Sequence, residues 1–205
     1  TKQLKFVAEL DRSNYVYQIP GPLTDSMFYA DPQQSTRSRN YFNPEIWVPS
    51  FTMHWSLSSN TGILWKTSAV LGYRNSVMFD KPANIVDAID PVTLTYASRQ
   101  VDIDNFNSYT SELRLLHSYL LFNLQSTVAG GIQYFNNDLH RRQLGKGTTG
   151  TDFDLTLIDP TWGRDLHFKT TNIAFFAENK FQVLPQLSIT PGVRVELGES
   201  VMTGT

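Results

Sequence analysis

The side chains able to do chemistry are few in kind. The 205-residue chain has no cysteine, which removes disulfides, thiolate metal sites and a Cys nucleophile together. Four histidines remain as candidate ligands or bases. His140 and His167 bracket a long polar stretch, but nothing gives them metal-site spacing, and neutral surface histidines are the plainer reading. His54 and His117 lie in alternating segments and read as packing residues. Asp102-Ile103-Asp104 lacks the glycine and terminal Glu of a calcium loop. Gly145-Lys146-Gly147-Thr148 is only superficially a phosphate loop, since Leu144 stands before it and no helix follows. Glu112 with Arg114, and Glu178 with Lys180, read as ion pairs rather than acid–base machinery.

What is left is cationic. Arg37, Arg39, Arg99, His140, Arg141, Arg142, Lys146 and Arg164 crowd three long polar stretches, and Arg74 lies near a strand end on its polar face. Gln143, Thr148 and Thr149 add neutral hydrogen-bonding groups. In the plainest reading these charges are solvated or paired with Asp31, Asp102, Asp104, Asp152 or Asp154. The net charge of −2 argues neither for nor against nucleic acid, and no nucleic-acid partner is expected.

The elements that must position these groups are strands. In residues 172–196, Ile173, Phe175, Ala177, Phe181 and Val183 share one face, while Glu178, Lys180 and Gln182 share the other. After Leu184-Pro185-Gln186 the alternation resumes, with Leu187, Ile189, Val193, Val195 and Leu197 opposite Ser188, Thr190, Arg194 and Glu196. Each arm is about ten residues, the length of a tilted strand crossing a bilayer. Five further strands are expected at about 3–17, 46–57, 63–79, 107–121 and 126–137. The connections at 19–45, 80–106 and 138–169 are long, and those at 58–62, 122–125 and 184–186 are short. The long ones run to about 25–32 residues, unusual for structureless loops in a compact domain. In up-and-down order all long loops lie on one rim and all short turns on the other, the asymmetry of outer-membrane barrels. Pro49 and Pro191 interrupt the alternation, so bulges or irregular pairing are expected there.

Composition agrees with a barrel. Aromatics are 13% and charged residues 18%, as for aromatic girdles around a polar lumen. Trp47, Trp55, Trp65, Tyr73, Phe79, Tyr109 and Tyr119 fit a girdle better than a sugar-stacking site. No run of about 18 apolar residues exists, so no transmembrane helix is expected. No signal peptide is visible, and a start at Thr1-Lys2-Gln3-Leu4 suggests a mature protein or an internal fragment. The fold class expected is all-β: an antiparallel up-and-down transmembrane β-barrel segment. Seven strands is an odd count, and two open edges in lipid are not viable, so the segment belongs to a larger barrel.

Several runs carry a family resemblance. The stretch from Arg142 through Gly145-Lys146-Gly147-Thr148-Thr149-Gly150 to Leu155 resembles TonB-dependent outer-membrane receptors of the ferric dicitrate type. So do Ile19-Pro20-Gly21-Pro22-Leu23-Thr24-Asp25, Gln34-Ser35-Thr36-Arg37-Ser38-Arg39-Asn40 and Asp159-Pro160-Thr161-Trp162-Gly163-Arg164-Asp165. The resemblance spans nearly the whole chain but only the middle of such a receptor, with the plug domain and TonB box absent. It implies about 22 strands around a plug, of which residues 1–205 supply about seven. It implies the bacterial outer membrane, with lipid and lipopolysaccharide as neighbours. Import of an iron chelate would be driven by the TonB complex acting on the plug. Such a protein is a transporter, not an enzyme, and keeps no cofactor. Ferric dicitrate is anionic and calls for guanidinium and ammonium groups. The ligand-binding candidates are Arg37, Arg39, Arg74, His140, Arg141, Arg142, Gln143, Lys146, Thr148 and Thr149. Alternative readings are a TonB-dependent importer of another cargo, such as a glycan or different siderophore, and a soluble β-rich binding module.

Overall fold

Alternating sequence becomes one antiparallel sheet. The computed structural model describes residues 3–205. Its elements are β1 (Gln3–Asn14), β2 (Tyr17–Gln18), α1 (Asp25–Ala30), β3 (Tyr41–Ser56), β4 (Thr61–Met78), β5 (Gln100–Leu121), β6 (Leu124–Gly147), β7 (Leu157–Asp159), β8 (Arg164–Leu184), β9 (Leu187–Ile189) and β10 (Gly192–Gly204). The sheet runs β1-β3-β4-β5-β6-β8-β10, with β2 on β3, β7 on β6 and β9 on β8. It is ten-stranded and open, with β1 and β10 at its edges. Among the described residues no helix is long and apolar enough to cross a membrane.

The short connections are tighter than expected. Phe122 and Asn123 alone join β5 to β6, both with positive φ (51° and 61°), the backbone that a two-residue hairpin with the sheet's twist requires. Pro185 and Gln186 join β8 to β9. The long connections, at residues 19–40, 79–99 and 148–163, all lie at the other end of the strands.

Three expected boundaries need correction. The loops at 19–45, 80–106 and 138–169 are shorter, because β3, β5, β6 and β8 continue past the apolar alternation. Residues 100–106 pair with 142–146 and their neighbours, and 138–143 pair with 164–169. Ladder hydrogen bonds do not need apolar side chains, so polar strand ends carry no hydropathy signal.

Both prolines interrupt pairing without changing the register. On β3, Trp47↔Leu71 and Ser50↔Ser68 keep one register across the gap at Val48 and Pro49, while Pro49 stays paired with Leu10 on β1. Pro191 separates β9 from β10, and its carbonyl accepts from the Asn179 N–H at 3.0 Å. The register shifts lie elsewhere, at Val101/Ile103 against β6, at Lys146/Gly147 against β7 and at Gln182/Leu184 against β9.

The sheet has two unlike faces. The register puts Leu10, Trp47, Leu71, Tyr109, Tyr134, Phe175 and Val195 on one face. Large apolar side chains here are widely exposed, with Leu10 at 63% and Leu197 at 66%. Lys66, Arg74, Glu112, Arg114, Arg194 and Glu196 share the other face. Buried apolar residues are few, and Val77, Phe79 and Val101 gather where the long connections meet the strand ends; Phe79 is thus a core ring under Arg37 and Arg99, not the girdle aromatic expected.

Candidate anion site on the polar face

The register draws three charged groups into one row. Arg74 of β4 pairs with Asp104 of β5, which pairs with Arg141 of β6. All three side chains therefore stand on the same face. Arg74 Nη2 donates to Asp104 Oδ2 at 2.5 Å, while Arg141 donates through Nε to Oδ1 at 3.0 Å and through Nη2 to Oδ2 at 3.2 Å. The Asp104 side chain is only 4% exposed, whereas Arg74 is 41% exposed. Two guanidiniums thus share one buried carboxylate, leaving a surplus positive charge with donors still facing outward. That arrangement suits a multivalent oxyanion.

A second cationic feature lies at the same end. Lys81 and Lys146 line a shallow cleft with Asp80, Ser98 and Leu144. The β6 end is bulged here: Leu144 has φ of 61° and its N–H donates to Asp102 Oδ1 at 2.9 Å. The bulge turns the last residues of β6 out of simple alternation.

Three arginines expected in loops serve the fold. Arg37 is 2% exposed and donates to the carbonyls of Thr36, Phe79, Lys81 and Pro82. Burial with those bonds leaves little of its guanidinium for an outside ligand. Arg99 makes two hydrogen bonds to Asp87, at 2.9 and 2.8 Å. Arg39 donates to the Tyr96 hydroxyl at 2.6 Å and lies 4.5 Å over its ring. Arg37 and Arg99 both pack on the Phe79 ring, and Arg99 also packs on Tyr96. Alternating cations and rings therefore weld the first long connection to the second.

The remaining candidates divide between the faces. Arg142 points opposite to Arg141 and packs on the Trp162 ring at 5.4 Å. Gln143 accepts from Arg164 at 2.9 Å. Lys146 and Thr149 are exposed. The Thr148 hydroxyl donates to Asp154 at 3.1 Å. The backbone N–H and hydroxyl of Thr156, then Thr148, hold the Asp154 carboxyl below its usual range. His140 leaves the expected loop altogether: it lies in β6, on the apolar face, stacked against His167.

Asp104 is among the expected partners of these charges, but its central position between two arginines, and the parts of Asp87, Tyr96 and Trp162, carry no local signal in the sequence. A polar-face column of Arg74, Asp104 and Arg141 was discoverable only with the strand register known. Farther down the same face, Arg114 pairs with Glu112 at 2.8 Å as expected. Glu178 and Lys180 form no ion pair with each other among the described residues.

No protein-family model matches the chain, and no curated protein matches it.

Proposed function

We propose that this chain is a wall segment of a TonB-dependent outer-membrane receptor that takes up an anionic ferric chelate, with ferric dicitrate the leading cargo. The observation that carries the reading is the exposed apolar face. Along β5 it runs from Tyr109 to Tyr119, about 33 Å at 3.3 Å per residue, or about 24 Å once tilted as barrel strands are. That is the height of the apolar band on an outer-membrane barrel. In water such a face would be a large unpartnered patch. In lipid it is solvated, and the open edges at β1 and β10 are the joints to further strands of a closed barrel of about 22.

The polar face then lines the lumen. Strand ends bearing Arg74, Asp104 and Arg141 project beyond the band on the long-loop side, where an extracellular cargo arrives. The surplus charge of that row, with Lys81 and Lys146 nearby, recognises carboxylates of the chelate. The receptor makes and breaks no bond, and the TonB complex supplies the work through the plug. The resemblance of residues 142–155 and 159–165 to ferric dicitrate receptors supports this cargo over a glycan.

The test has two parts. Expressed alone, the chain is expected to need detergent or lipid; a monomer that unfolds cooperatively in plain buffer overturns the membrane reading. In the whole receptor, joint replacement of Arg74 and Arg141 by Ala is expected to weaken ferric dicitrate binding by about tenfold or more, about 1.4 kcal/mol per decade. Unchanged affinity there, with an intact barrel, removes the site and leaves the barrel reading standing.

A further inference from the structure

On the apolar face, at the long-connection end of β6 and β8, two histidines and two aspartates come together. β6 and β8 pair as Asp138↔Lys169, His140↔His167 and Arg142↔Asp165. Directly opposed residues share a face, so backbone register alone brings the imidazoles side by side. Their rings stack with centroids 3.9 Å apart and planes 14° from parallel. His140 Nε2 lies 2.7 Å from Asp165 Oδ1. His167 Nδ1 lies 3.3 Å from Asp138 Oδ1. One ligand atom from each of His140, Asp165 and His167 falls within 4.8 Å of the others.

We propose that His140, Asp165 and His167 form a binding site for a divalent transition-metal ion of the zinc type, with Asp138 as the positioning residue. Each part has a physical reason. Two imidazoles and a carboxylate favour zinc and its neighbours over calcium or magnesium, which prefer all-oxygen shells. The ion takes the place of the proton shared by His140 Nε2 and Asp165. Asp138 accepts from His167 Nδ1, so Nε2 of that ring is the free edge, the usual carboxylate–histidine–metal arrangement. Metal–ligand distances of about 2.0–2.1 Å put neighbouring ligand atoms about 3.3 Å apart. The cluster therefore closes by small rotations of half-exposed rings and leaves the backbone in place. Lys169 Nζ, 3.9 Å from Asp138 and well exposed, is free to swing away.

Three protein ligands leave a fourth position open to water or to an outside oxygen donor. The ion clips β6 to β8 near their long-connection end. The site lies on the opposite face from Arg74, Asp104 and Arg141, so it is separate from the proposed cargo site and does not rest on the cargo reading.

Zn2+ itself is the probe, titrated by calorimetry into the whole protein that carries these strands, folded in detergent, with Co2+ as a spectroscopic substitute. Saturable binding of one ion per chain is expected. Co2+ should give the intense visible absorption of a low-coordinate nitrogen and oxygen site. His140→Ala and His167→Ala should each weaken binding by about a hundredfold, and Asp138→Asn by about tenfold. His167→Asn is the safeguard against misfolding, because its amide keeps a donor toward Asp138 while deleting Nε2. Zn2+ should also slow amide exchange in β6 and β8 of the unsubstituted chain. His54→Ala and His117→Ala should change none of this. Absence of saturable binding, or equal binding by His140→Ala and His167→Asn, overturns the proposal. So does Zn2+ that binds without slowing exchange in either strand.

Discussion

Arg141 donates two hydrogen bonds to Asp104, 37 positions away, while Arg74 reaches the same carboxylate from the strand on the other side. The energetic consequence is non-additivity. Removing either arginine leaves Asp104 one partner. Removing both leaves a buried carboxylate with none, which is far more costly. Arg74→Ala and Arg141→Ala are each expected to destabilise the chain by about 1 kcal/mol or less, since both guanidiniums are partly exposed. The double variant is expected to lose about 3 kcal/mol. Denaturant unfolding of the four species in detergent gives the coupling, and simple additivity would refute the shared-carboxylate account.

Arg37 makes the opposite prediction for the loops. Its guanidinium supplies donors to carbonyls of both long connections from inside a cation–ring stack. Lysine carries the charge but not the planar fork. Arg37→Lys should therefore behave nearly as Arg37→Ala, each costing about 2–3 kcal/mol through buried carbonyls left unpaired. Faster amide exchange and new proteolytic cuts are expected around residues 79–87. A rescue of loop protection by lysine would show that charge, not geometry, is what Arg37 supplies.

Acid should loosen these connections before the strands. Asp90 accepts from the backbone N–H groups of Thr93 and Val92, which hold its carboxyl below the usual value. Asp154 is lowered in the same direction, chiefly by Thr156. A carboxyl lowered in the folded state contributes stability above its unfolded pKa and loses it as pH falls through the folded one. The window therefore lies below about pH 4, the ordinary Asp value. Amide exchange at residues 90–95 and 150–156, corrected for its intrinsic pH dependence, should lose protection there. Asp90→Asn and Asp154→Asn should lower protection already at neutral pH and flatten its pH dependence. A pH response that persists in both variants would exclude these carboxyls as its source.

The faces of the strands and the rim carrying each loop were legible because alternation and turn residues are local signals. Glu112 with Arg114 could be read for the same reason, being two residues apart on one strand. The site could not, since it depends on partners across the sheet. His140 and His167 have no ligand spacing along the chain, yet they are direct register partners. Arg37 reads like any loop arginine until Phe79 and Pro82 are known to surround it. Boundaries failed where strands outran their apolar rows: from residue 138 onward β6 carries Asp, His and Arg, and its hydrogen bonds leave no trace in hydropathy.

Two adjacent glycines in β6 provide a sharp test of the face assignment. Gly130 and Gly131 point to opposite faces. A Cβ on Gly130 would meet Phe176 O at 3.4 Å and Ala177 Cβ at 3.8 Å, which is ordinary contact. A Cβ on Gly131 would collide with Leu113 O and come within 2.7 Å of Phe176 Cζ. The Phe176 ring cannot yield freely, because Arg114 and Arg194 both pack on it, at 5.3 and 5.9 Å. Arg194 is held in turn by Gln133, at 2.8 Å. Gly130→Ala is thus expected to leave stability unchanged or raise it by up to about 1 kcal/mol through the unfolded chain. Gly131→Ala is expected to cost about 1–3 kcal/mol from overpacking against backbone. Combining Gly131→Ala with Phe176→Leu should not restore stability fully, since the clash with the Leu113 carbonyl remains. Unfolding midpoints in detergent would rank the variants, and equal tolerance at both glycines would mean that the β5–β6–β8 register is wrong.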